Sequence, residues 1–527
     1  MVKLAFYGGV KEIGGNKILL EDDKGKLFLD FGYPYGKYRN FYEEYLKPRT
    51  GAGLLDLLVM GLLPQLEGIY RTDLEKQNLW QHFPRARHHR KLETIDGVLL
   101  THAHLDHSGH ISLLKEDIPV YATTTTAFVA KAMQDSGKAD FDQQVCYFTP
   151  RVEECVEGLK QGAYIASGSD RQRRFCVPDK SELSDEAKNF WEKGTRQKKL
   201  ATQPLEDICE CSFNLRCFPV DHSIPGACAW GVETSSGWLI YSGDLRLHGK
   251  RGKLTETFIR EAAKLHPKAL ILEGTNVGRS QNVSEQEVYE NAFKAIKAAT
   301  HLVIADFSAR DVDRLLTFLE IARDTKRKLA ILPKDSYLLR TMRLLESNVP
   351  DLHQEDSVVI YHETTATRSP AAWLKEIYQE YGNRIVLAKD VRSNQGDFIL
   401  CFSFFDLNEL PSIQPQAGSL YVYSSSEPHT EEQKIDFWRL HHWLEHFGLQ
   451  AVGLPVQSGG EWEIPEAERG LHASGHACGP DLLRVAKEIN PENLIPVHCE
   501  KPGFYQDNLR GSRIKVILPS ENGTLAI

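Results

Sequence analysis

Four histidines and an aspartate lie within the ten residues from Thr101 to His110, in the order His-x-His-x-Asp-His followed by one more histidine. The chain has 20 histidines in 527 residues, so this is a strong local excess and not the scatter expected of a surface loop. Imidazole nitrogen suits zinc and related metals, and carboxylate oxygen suits harder ions such as manganese. Two ligand sets packed this closely predict two metals in one site, which together can hold the attacking and leaving oxygens of a phosphoryl displacement.

The residues before this loop form an apolar run, 97–100, which predicts a strand that presents the ligands at its end. Asp30 directly follows another apolar run, and His222 and Asp244 follow the ends of two more after one and two intervening residues. Taken singly, a histidine at a strand end can be a hydrogen-bonding residue, and an aspartate in Ser-Gly-Asp can be a turn former. Because strand ends converge at the edge of a sheet, the set together predicts one binuclear site.

Composition indicates an ordinary globular protein, with 41% hydrophobic and 26% charged residues. We expect two or three domains from the length, and neither a signal peptide nor a membrane span from the apolar runs. The ten cysteines are scattered and form no Cys-x-x-Cys pair, which favours a reducing, cytoplasmic location. Cys209, Cys211 and Cys217 could form a small metal clip, but buried free thiols are favoured. The net charge of −9 is unusual for a nucleic-acid binder, although an enzyme needs positive charge only locally, and bound metals supply some of it.

The pattern along the chain predicts an α/β fold in three parts. Residues 1–275 are predicted to form two sets of strands, interrupted by an insertion around 145–212 that has no clear pattern. Within this insertion, 180–199 is expected to be helical. Residues 276–440 alternate short apolar strands with helices, the pattern of a parallel α/β domain. Residues 441–527 return to strands. Since the polar candidates in the first and last parts must meet in one site, the middle part is predicted to be an insertion that caps it.

The motifs in this order resemble those of the metallo-β-lactamase superfamily. Three further motifs resemble the β-CASP nucleases of that superfamily: Glu273 at the end of an apolar strand, His-Ala-Ser-Gly-His-Ala over 472–477, and Pro-Val-His-Cys-Glu over 496–500. Together they are most similar to the ribonuclease J family. This resemblance implies a metallo-β-lactamase αββα sandwich with an inserted β-CASP α/β domain.

The resemblance also implies the ligands of two divalent ions, expected to be zinc with manganese as the alternative. One ion would be held by His102, His104 and His222, and the other by Asp106, His107 and His498, with Asp244 bridging. Asp30 would orient a ligand or the attacking water from behind. His476, oriented by Glu273, would be the general acid that protonates the leaving oxygen, and His472 and Ser474 would hold a substrate phosphate.

The leading hypothesis is therefore a binuclear, metal-dependent ribonuclease that hydrolyses single-stranded RNA by metal-activated water. Its 5′-to-3′ exonuclease mode, with endonuclease activity as an addition, comes from the resemblance alone, as does assembly into a homo-oligomer. The alternatives are a β-CASP nuclease acting on DNA, a small-molecule hydrolase such as a thioesterase or lactonase, and a nucleic-acid-binding relative without chemistry. Glu273 and His476 count against a small-molecule hydrolase, and the intact ligand set counts against an inactive relative.

Overall fold

The computed structural model describes residues 1–43, 45–83, 88–137, 140–154, 163–178, 180, 183–194, 199–208, 211–308, 310–364, 370–425, 431–458 and 461–527. These residues form two compact units. Unit 1 comprises 1–247, 253–280 and 476–527, and unit 2 comprises 248–252 and 281–475. Among the described residues, no helix has both the length and the apolar character that crossing a membrane requires.

Unit 1 contains two large sheets. The first has eight strands in the spatial order Glu206–Asp207, Phe175–Val177, Val120–Tyr121, Gly97–Leu99, Gly25–Phe31, Lys17–Asp22, Lys3–Gly8 and Thr524–Ala526. The second has six strands in the order Asn214–Pro219, Cys228–Thr234, Gly237–Tyr241, Ala269–Leu272, Asn493–Pro496 and Lys515–Val516. The first and last parts of the chain therefore share both sheets.

The two sheets pack face to face through alternate residues of their strands. Leu27 and Leu29 of the first sheet share one core cluster with Leu239 and Tyr241 of the second. On the other face of the second sheet, Ile240 and its neighbours pack against two helices, Gly252–Ala263 and Gly479–Ile489. This inside–outside alternation is the two-residue period of a strand, and it produces the predicted layering of sheets between helices.

The other helices of unit 1 are Tyr35–Arg39, Leu55–Val59, Leu105–Ser108, Thr124–Ser136, Asp185–Glu192 and Gly503–Asn508. The helix Thr124–Ser136 begins where expected, because the Thr123 hydroxyl accepts a hydrogen bond from the Thr126 amide at 3.0 Å. The charged segment 180–199 differs from its prediction. Within its described part the helix covers only Asp185–Glu192, with Ser184 as its cap.

The segment 145–212 adds strands as well as this helix. Phe175–Val177 and Glu206–Asp207 extend the first sheet at one edge. Short ladders join Tyr147–Phe148, Asp170–Gln172 and Leu200–Ala201, and pair Arg151–Glu154 with Ala163–Ala166. Closer to the N-terminus, the short strand Leu66–Glu67 pairs with Arg90–Lys91. Phe175 and Val177 are fully buried, which explains why this stretch joins the core sheet.

Unit 2 is a parallel α/β unit. Its seven strands lie in the order Ile385–Val386, Val358–Tyr361, Lys328–Ile331, Phe398–Cys401, Val303–Asp306, Leu420–Tyr423 and Gln450–Val452, all parallel. Its helices are Glu285–Ala298, Val312–Asp324, Pro333–Arg343, Ala372–Glu380, Ala388–Ser393, Leu410–Ile413 and Glu431–Phe447, and Val456–Ser458 forms a hairpin with Glu461–Glu463. The predicted alternation of strands and helices is thus present.

Candidate metal centre

The loop that follows the strand Gly97–Leu99 is held against a second turn of the first sheet. The Tyr33 amide donates to the Leu105 carbonyl at 2.7 Å, and the Gly15 amide donates to the Asp106 carbonyl at 2.9 Å. At Gly32 a β-carbon would lie 1.6 Å from the Asp106 carbonyl oxygen. Only glycine permits this close approach, so the turn fixes the short helix that carries Asp106 and His107.

Three imidazoles form the first cluster of candidate ligands. The Nδ1 atom of His104 lies 3.1 Å from Nε2 of His102 and 3.2 Å from Nε2 of His222. Two nitrogens on a tetrahedral zinc ion are about 3.3 Å apart, because each Zn–N bond is about 2.0–2.1 Å long. Burial, together with the positive charge of His107, lowers the pKa of His102 well below its ordinary range. A buried, neutral imidazole of this kind is the form that binds a metal.

Asp106, His107 and His498 form the second cluster. Oδ2 of Asp106 lies 3.4 Å from Nε2 of His498 and 3.8 Å from Nε2 of His107. Burial would raise the pKa of Asp106, but the nearby charges of His107 and His498 lower it. An ionised carboxylate between two imidazoles is a ligand set for a divalent cation.

Asp244 lies between the two clusters. Its Oδ2 atom is 3.1 Å from Nε2 of His107, 3.6 Å from Nε2 of His102 and 3.8 Å from Nε2 of His222. Its Oδ1 atom is 3.8 Å from Nδ1 of His498 and accepts no hydrogen bond from any residue that the structure describes. Burial would raise the pKa of Asp244, but the surrounding histidines hold it well below its ordinary value. A buried, ionised carboxylate with an unsatisfied oxygen fits a bridging metal ligand.

Asp30 supports the second cluster from behind. Its carboxylate lies 2.7 Å from Nδ1 of His107 and accepts from the Thr101 amide at 2.8 Å, the Thr101 hydroxyl at 2.9 Å and the Tyr241 hydroxyl at 2.7 Å. The Tyr241 oxygen in turn accepts from the Asn16 side chain at 2.9 Å. Because Nδ1 of His107 donates to Asp30, its Nε2 is the atom left to face Asp244.

Thr275 contacts Nδ1 of His498 in the same way that Asp30 contacts Nδ1 of His107. The Thr275 hydroxyl lies 2.8 Å from Nδ1 of His498, and the His498 amide donates to the Gly9 carbonyl at 2.8 Å. His498 has a φ of 49° and Asp30 a φ of 55°, values that side-chain-bearing residues seldom adopt. Two such residues in one site indicate that the surrounding contacts hold the backbone in place.

The partly exposed His476 pairs with the buried Glu273 beside Asp244. Nδ1 of His476 lies 3.0 Å from Oε2 of Glu273 and 4.0 Å from Oδ2 of Asp244. The carboxylate of Glu273 is fixed in turn by the Leu245 amide at 2.7 Å. Burial would lower the pKa of His476, but the charges of Glu273 and Asp244 raise it to about 9. The pair therefore holds a protonated imidazole next to the candidate metal ligands.

A buried ion pair joins the strand ends that carry His222 and Asp244. Nε of Arg246 donates to Oδ1 of Asp221 at 3.1 Å, with both side chains fully buried, and the Arg246 amide donates to the Asp221 carbonyl at 2.7 Å. Breaking a buried pair by removing one partner is typically costly, so this link fixes the spacing of the two ligands. Neither residue was among the predicted site residues.

His472 and Ser474 belong to unit 2, where Nδ1 of His472 donates to the Ser425 carbonyl at 2.7 Å and the Ser474 carbonyl accepts from Nε2 of His248 at 2.9 Å. The fourth histidine of the loop, His110, is buried against the Tyr33 ring, 5.0 Å between centroids, and is in none of the candidate ligand groups of the described residues. In the considered cysteine clip, Cys211 and Cys217 are half-buried free thiols, whereas Cys209 lies outside the described residues.

Two family models match the chain. Residues 72–158 match a β-lactamase superfamily domain, and residues 465–519 match a Zn-dependent metallo-hydrolase RNA specificity domain. The second match contains Ser474, His476 and His498. These matches support a metallo-β-lactamase fold with β-CASP features.

Curated proteins named ribonuclease J are similar to this chain over most of its length. It is 24% identical over 428 residues to ribonuclease J of Mycobacterium tuberculosis strain CDC 1551, and the match covers 79% of this chain and 60% of the relative. It is also 24% identical over 508 residues to ribonuclease J of Mycoplasma pneumoniae, covering 94% and 68%. The chain thus spans about 60% of the length of the mycobacterial relative.

A solved structure has the same fold. The crystal structure of a protein of unknown function from Enterococcus faecalis V583 superposes with a TM-score of 0.66 at 18% identity, covering the whole of both chains. At this identity the likeness concerns the fold alone. The predicted fold class is confirmed by the sheet layering and by these matches.

Proposed function

We propose that this chain is a binuclear, metal-dependent ribonuclease that hydrolyses phosphodiester bonds of single-stranded RNA. The observation that carries the proposal is the position of Asp244, which lies within 4.0 Å of histidines from both ligand clusters and of His476. A bridging carboxylate between two ligand sets suits a phosphoryl displacement, in which two oxygens need neutralisation at once. The relatives named ribonuclease J support RNA as the substrate.

The two ions would be divalent, with zinc favoured by the six imidazole and carboxylate residues around Asp244 and manganese as the alternative. One ion would be held by His102, His104 and His222, and the other by Asp106, His107 and His498. Asp244 would contribute a ligand to both ions. When bound, such ions activate water at neutral pH and neutralise charge that develops on the phosphoryl oxygens. Asp30 and Thr275 keep the ring orientations of His107 and His498 that this binding needs.

His476 would move the proton that the leaving group needs. The 3′-oxygen of RNA departs poorly as an alkoxide, so a general acid must protonate it. Because Nδ1 of His476 donates to Glu273, the proton available for transfer is the one on Nε2. Glu273 then holds the ring in place and balances its positive charge. We assign His472 and Ser474 to substrate phosphate, as the resemblance implies.

The finer parts of the proposal rest on the resemblance. They are a 5′-to-3′ exonuclease mode, an endonuclease activity as an addition, and a homo-oligomeric state. The cytoplasmic location that we also propose is supported by the scattered cysteines. We also propose that unit 2 is the β-CASP insertion, whose predicted limits of 276–440 differ from the limits of the compact unit.

The test uses single-stranded RNA labelled at the 5′ nucleotide, in one reaction with a 5′-monophosphate and in the other with a 5′-triphosphate. Purified protein is incubated with Mn²⁺, Zn²⁺ or EDTA. Metal-dependent release of labelled mononucleotide from the monophosphate substrate is the expected result, and internal fragments from both substrates would mean an endonuclease. Turnover of single-stranded DNA or of a thioester, with no cleavage of RNA, would overturn the proposal.

A further inference from the structure

An aromatic segment over residues 33–49, described except for residue 44, follows the turn at Gly32 and has no part in the proposed chemistry. It contains five tyrosines and a phenylalanine within thirteen residues: Tyr33, Tyr35, Tyr38, Phe41, Tyr42 and Tyr45. Such a density of rings outside a core is unusual, because large side chains normally dominate interiors and interfaces. We therefore expect these rings either to bind a partner or to pack within the chain.

The aromatic segment begins at the loop of candidate ligands. The Tyr33 amide donates to the Leu105 carbonyl at 2.7 Å, one residue before Asp106, and the Tyr33 ring packs on His110. Pro34 lies against Gly15, whose amide donates to the Asp106 carbonyl. The first rings of the segment are thus part of the wall that positions Asp106.

From there the rings lead to the surface of unit 1. The centroids of Tyr33 and Tyr38 are 5.1 Å apart, and those of Tyr38 and Tyr42 are also 5.1 Å apart. Exposure rises from 4% at Tyr33 to 47% at Phe41 and 87% at Tyr45. Large exposed rings grouped in this way mark an interaction site more often than an accident of the surface.

The charges of the aromatic segment are largely balanced. Lys47 pairs with Asp140 at 3.3 Å, and Arg49 pairs with Asp56 at 2.6 Å. Lys37 pairs with Glu12 at 3.3 Å and also with Glu521. The rings of Phe41 and Tyr45 are exposed beside these pairs, and Arg39 lies over the Tyr35 ring at 5.9 Å. Exposed aromatic rings of this kind bind flat π systems by stacking. Because the nearby charges are paired, the segment attracts phosphate only weakly at long range.

We infer that residues 33–49 form a stacking platform for the bases of single-stranded RNA whose scissile phosphate lies at the candidate metal ligands. This inference rests on the proposed function. RNA is the occupant that fits because the rings are continuous with the ligand loop and because bases of any sequence offer a face to stack on. A dinucleotide offers only two bases, whereas a long strand offers further bases to the rings of the segment, so the long strand gains more from stacking.

The experiment compares a dinucleotide with a long single-stranded RNA as substrates of the metal-loaded chain. The variant is the double substitution Phe41→Ala and Tyr45→Ala, which removes the two most exposed rings of the segment. The matched control is Phe405→Ala, since Phe405 is 79% exposed on unit 2. We expect the double variant to raise KM for the long RNA by roughly thirtyfold or more and to leave the dinucleotide unchanged, because each lost stack costs about 1–3 kcal/mol of binding. Substitution by another aromatic residue, Phe41→Tyr with Tyr45→Phe, should restore KM.

Three outcomes would overturn the inference while leaving the proposed function intact. KM for long RNA equal to that of the control would mean that the rings bind no base. Equal losses on both substrates would mean that the segment only supports the ligand loop. An unchanged KM with an altered oligomeric mass would mean that the rings dock another copy of the chain. Failure of the unsubstituted chain to cleave either RNA is a different result, and it contradicts the proposed function itself.

Discussion

The carboxylate of Asp30 lies 2.7 Å from Nδ1 of His107, and three further donors from Thr101 and Tyr241 converge on the same group. A carboxylate offers about four acceptor positions, so Asp30 is fully engaged. It therefore acts as a fixed point that joins three strand ends of the two sheets. The orientation of His107 toward Asp244 depends on it.

Replacing Asp30 with asparagine should weaken metal binding without unfolding the chain. Asparagine tolerates the left-handed backbone of Asp30, at φ 55°, but offers one acceptor oxygen where four donors converge. We expect metal affinity to fall by about 10–100-fold, as for other partners of metal-bound histidine. Competition with a chelating dye measures it. Asp23→Asn, at an exposed turn, is the control, and unchanged affinity in Asp30→Asn would rule out the orienting role.

Asp244→Asn should have a larger effect, because Asp244 contacts residues of both ligand clusters. The neutral amide cannot offset the charge of two cations, so at least one ion should be lost. We expect elemental analysis of the dialysed protein to show a lower metal content, and cleavage to fall by more than the roughly 100-fold upper range of an orienting residue. Asp185→Asn, on an exposed helix start, should retain both. Full metal content in Asp244→Asn would contradict its bridging role.

His476→Gln should abolish cleavage of RNA but spare substrates that need no proton. Loss of a general acid typically costs about 10²–10⁴-fold in rate when the leaving group is a poor one. A p-nitrophenyl phosphodiester has a good leaving group, so its hydrolysis should fall much less. Comparing kcat for the two substrates, at equal metal content, measures the role. Equal losses on both would show that His476 serves binding or metal retention and not proton transfer.

Stability should depend on Asp306 between about pH 4 and pH 7. Burial, with a smaller contribution from the charge of Asp406, raises the pKa of Asp306 from 3.8 to about 7 even though the Tyr421 hydroxyl bonds it. In that window the folded chain holds a proton that the unfolded chain has released, so raising the pH removes stability. The full cost, present above about pH 7, is at most about 4 kcal/mol of unfolding free energy.

Asp306→Asn removes this titration. Urea unfolding should show the variant gaining stability relative to the parent chain as the pH rises from about 4 to 7, with a constant difference above that. Asp397→Asn, exposed on the same unit, should show no such trend. A difference between Asp306→Asn and the parent chain that does not change with pH would mean that the folded and unfolded carboxyl groups titrate alike.

The candidate ligands could be predicted from the sequence because each carries a double signal, a metal-binding side chain and a position just after an apolar run. His102 follows a strand of the first sheet, whereas His222 and Asp244 follow strands of the second. The candidate ligands thus come together at the ends of strands from both sheets, and not at the edge of a single sheet. The strands and helices between 285 and 425 could also be predicted, because each short apolar run alternates with a segment whose apolar residues repeat at helical spacing.

The supporting residues could not be predicted in the same way. Thr101, Tyr241 and Thr275 each contribute one hydroxyl, and a single hydroxyl in a strand or turn has no distinctive spacing. The Thr275–His498 contact spans 223 positions of the chain, and Arg246 reads as part of a basic loop until its pairing with Asp221 is seen. His110 is a different case, because it was not among the predicted ligands. It shares the spacing of the ligands, yet its buried position against Tyr33 keeps it apart from them.

The most direct test of the central claim is a metal titration of the metal-stripped chain with RNA cleavage as the readout. Zn²⁺ and Mn²⁺ would each be added in steps, and bound metal and the cleavage rate of single-stranded RNA measured on the same samples. We expect two ions to bind per chain and cleavage to reach its plateau only at the second. Cleavage by the metal-free chain, or two bound ions with no cleavage of RNA, would contradict it.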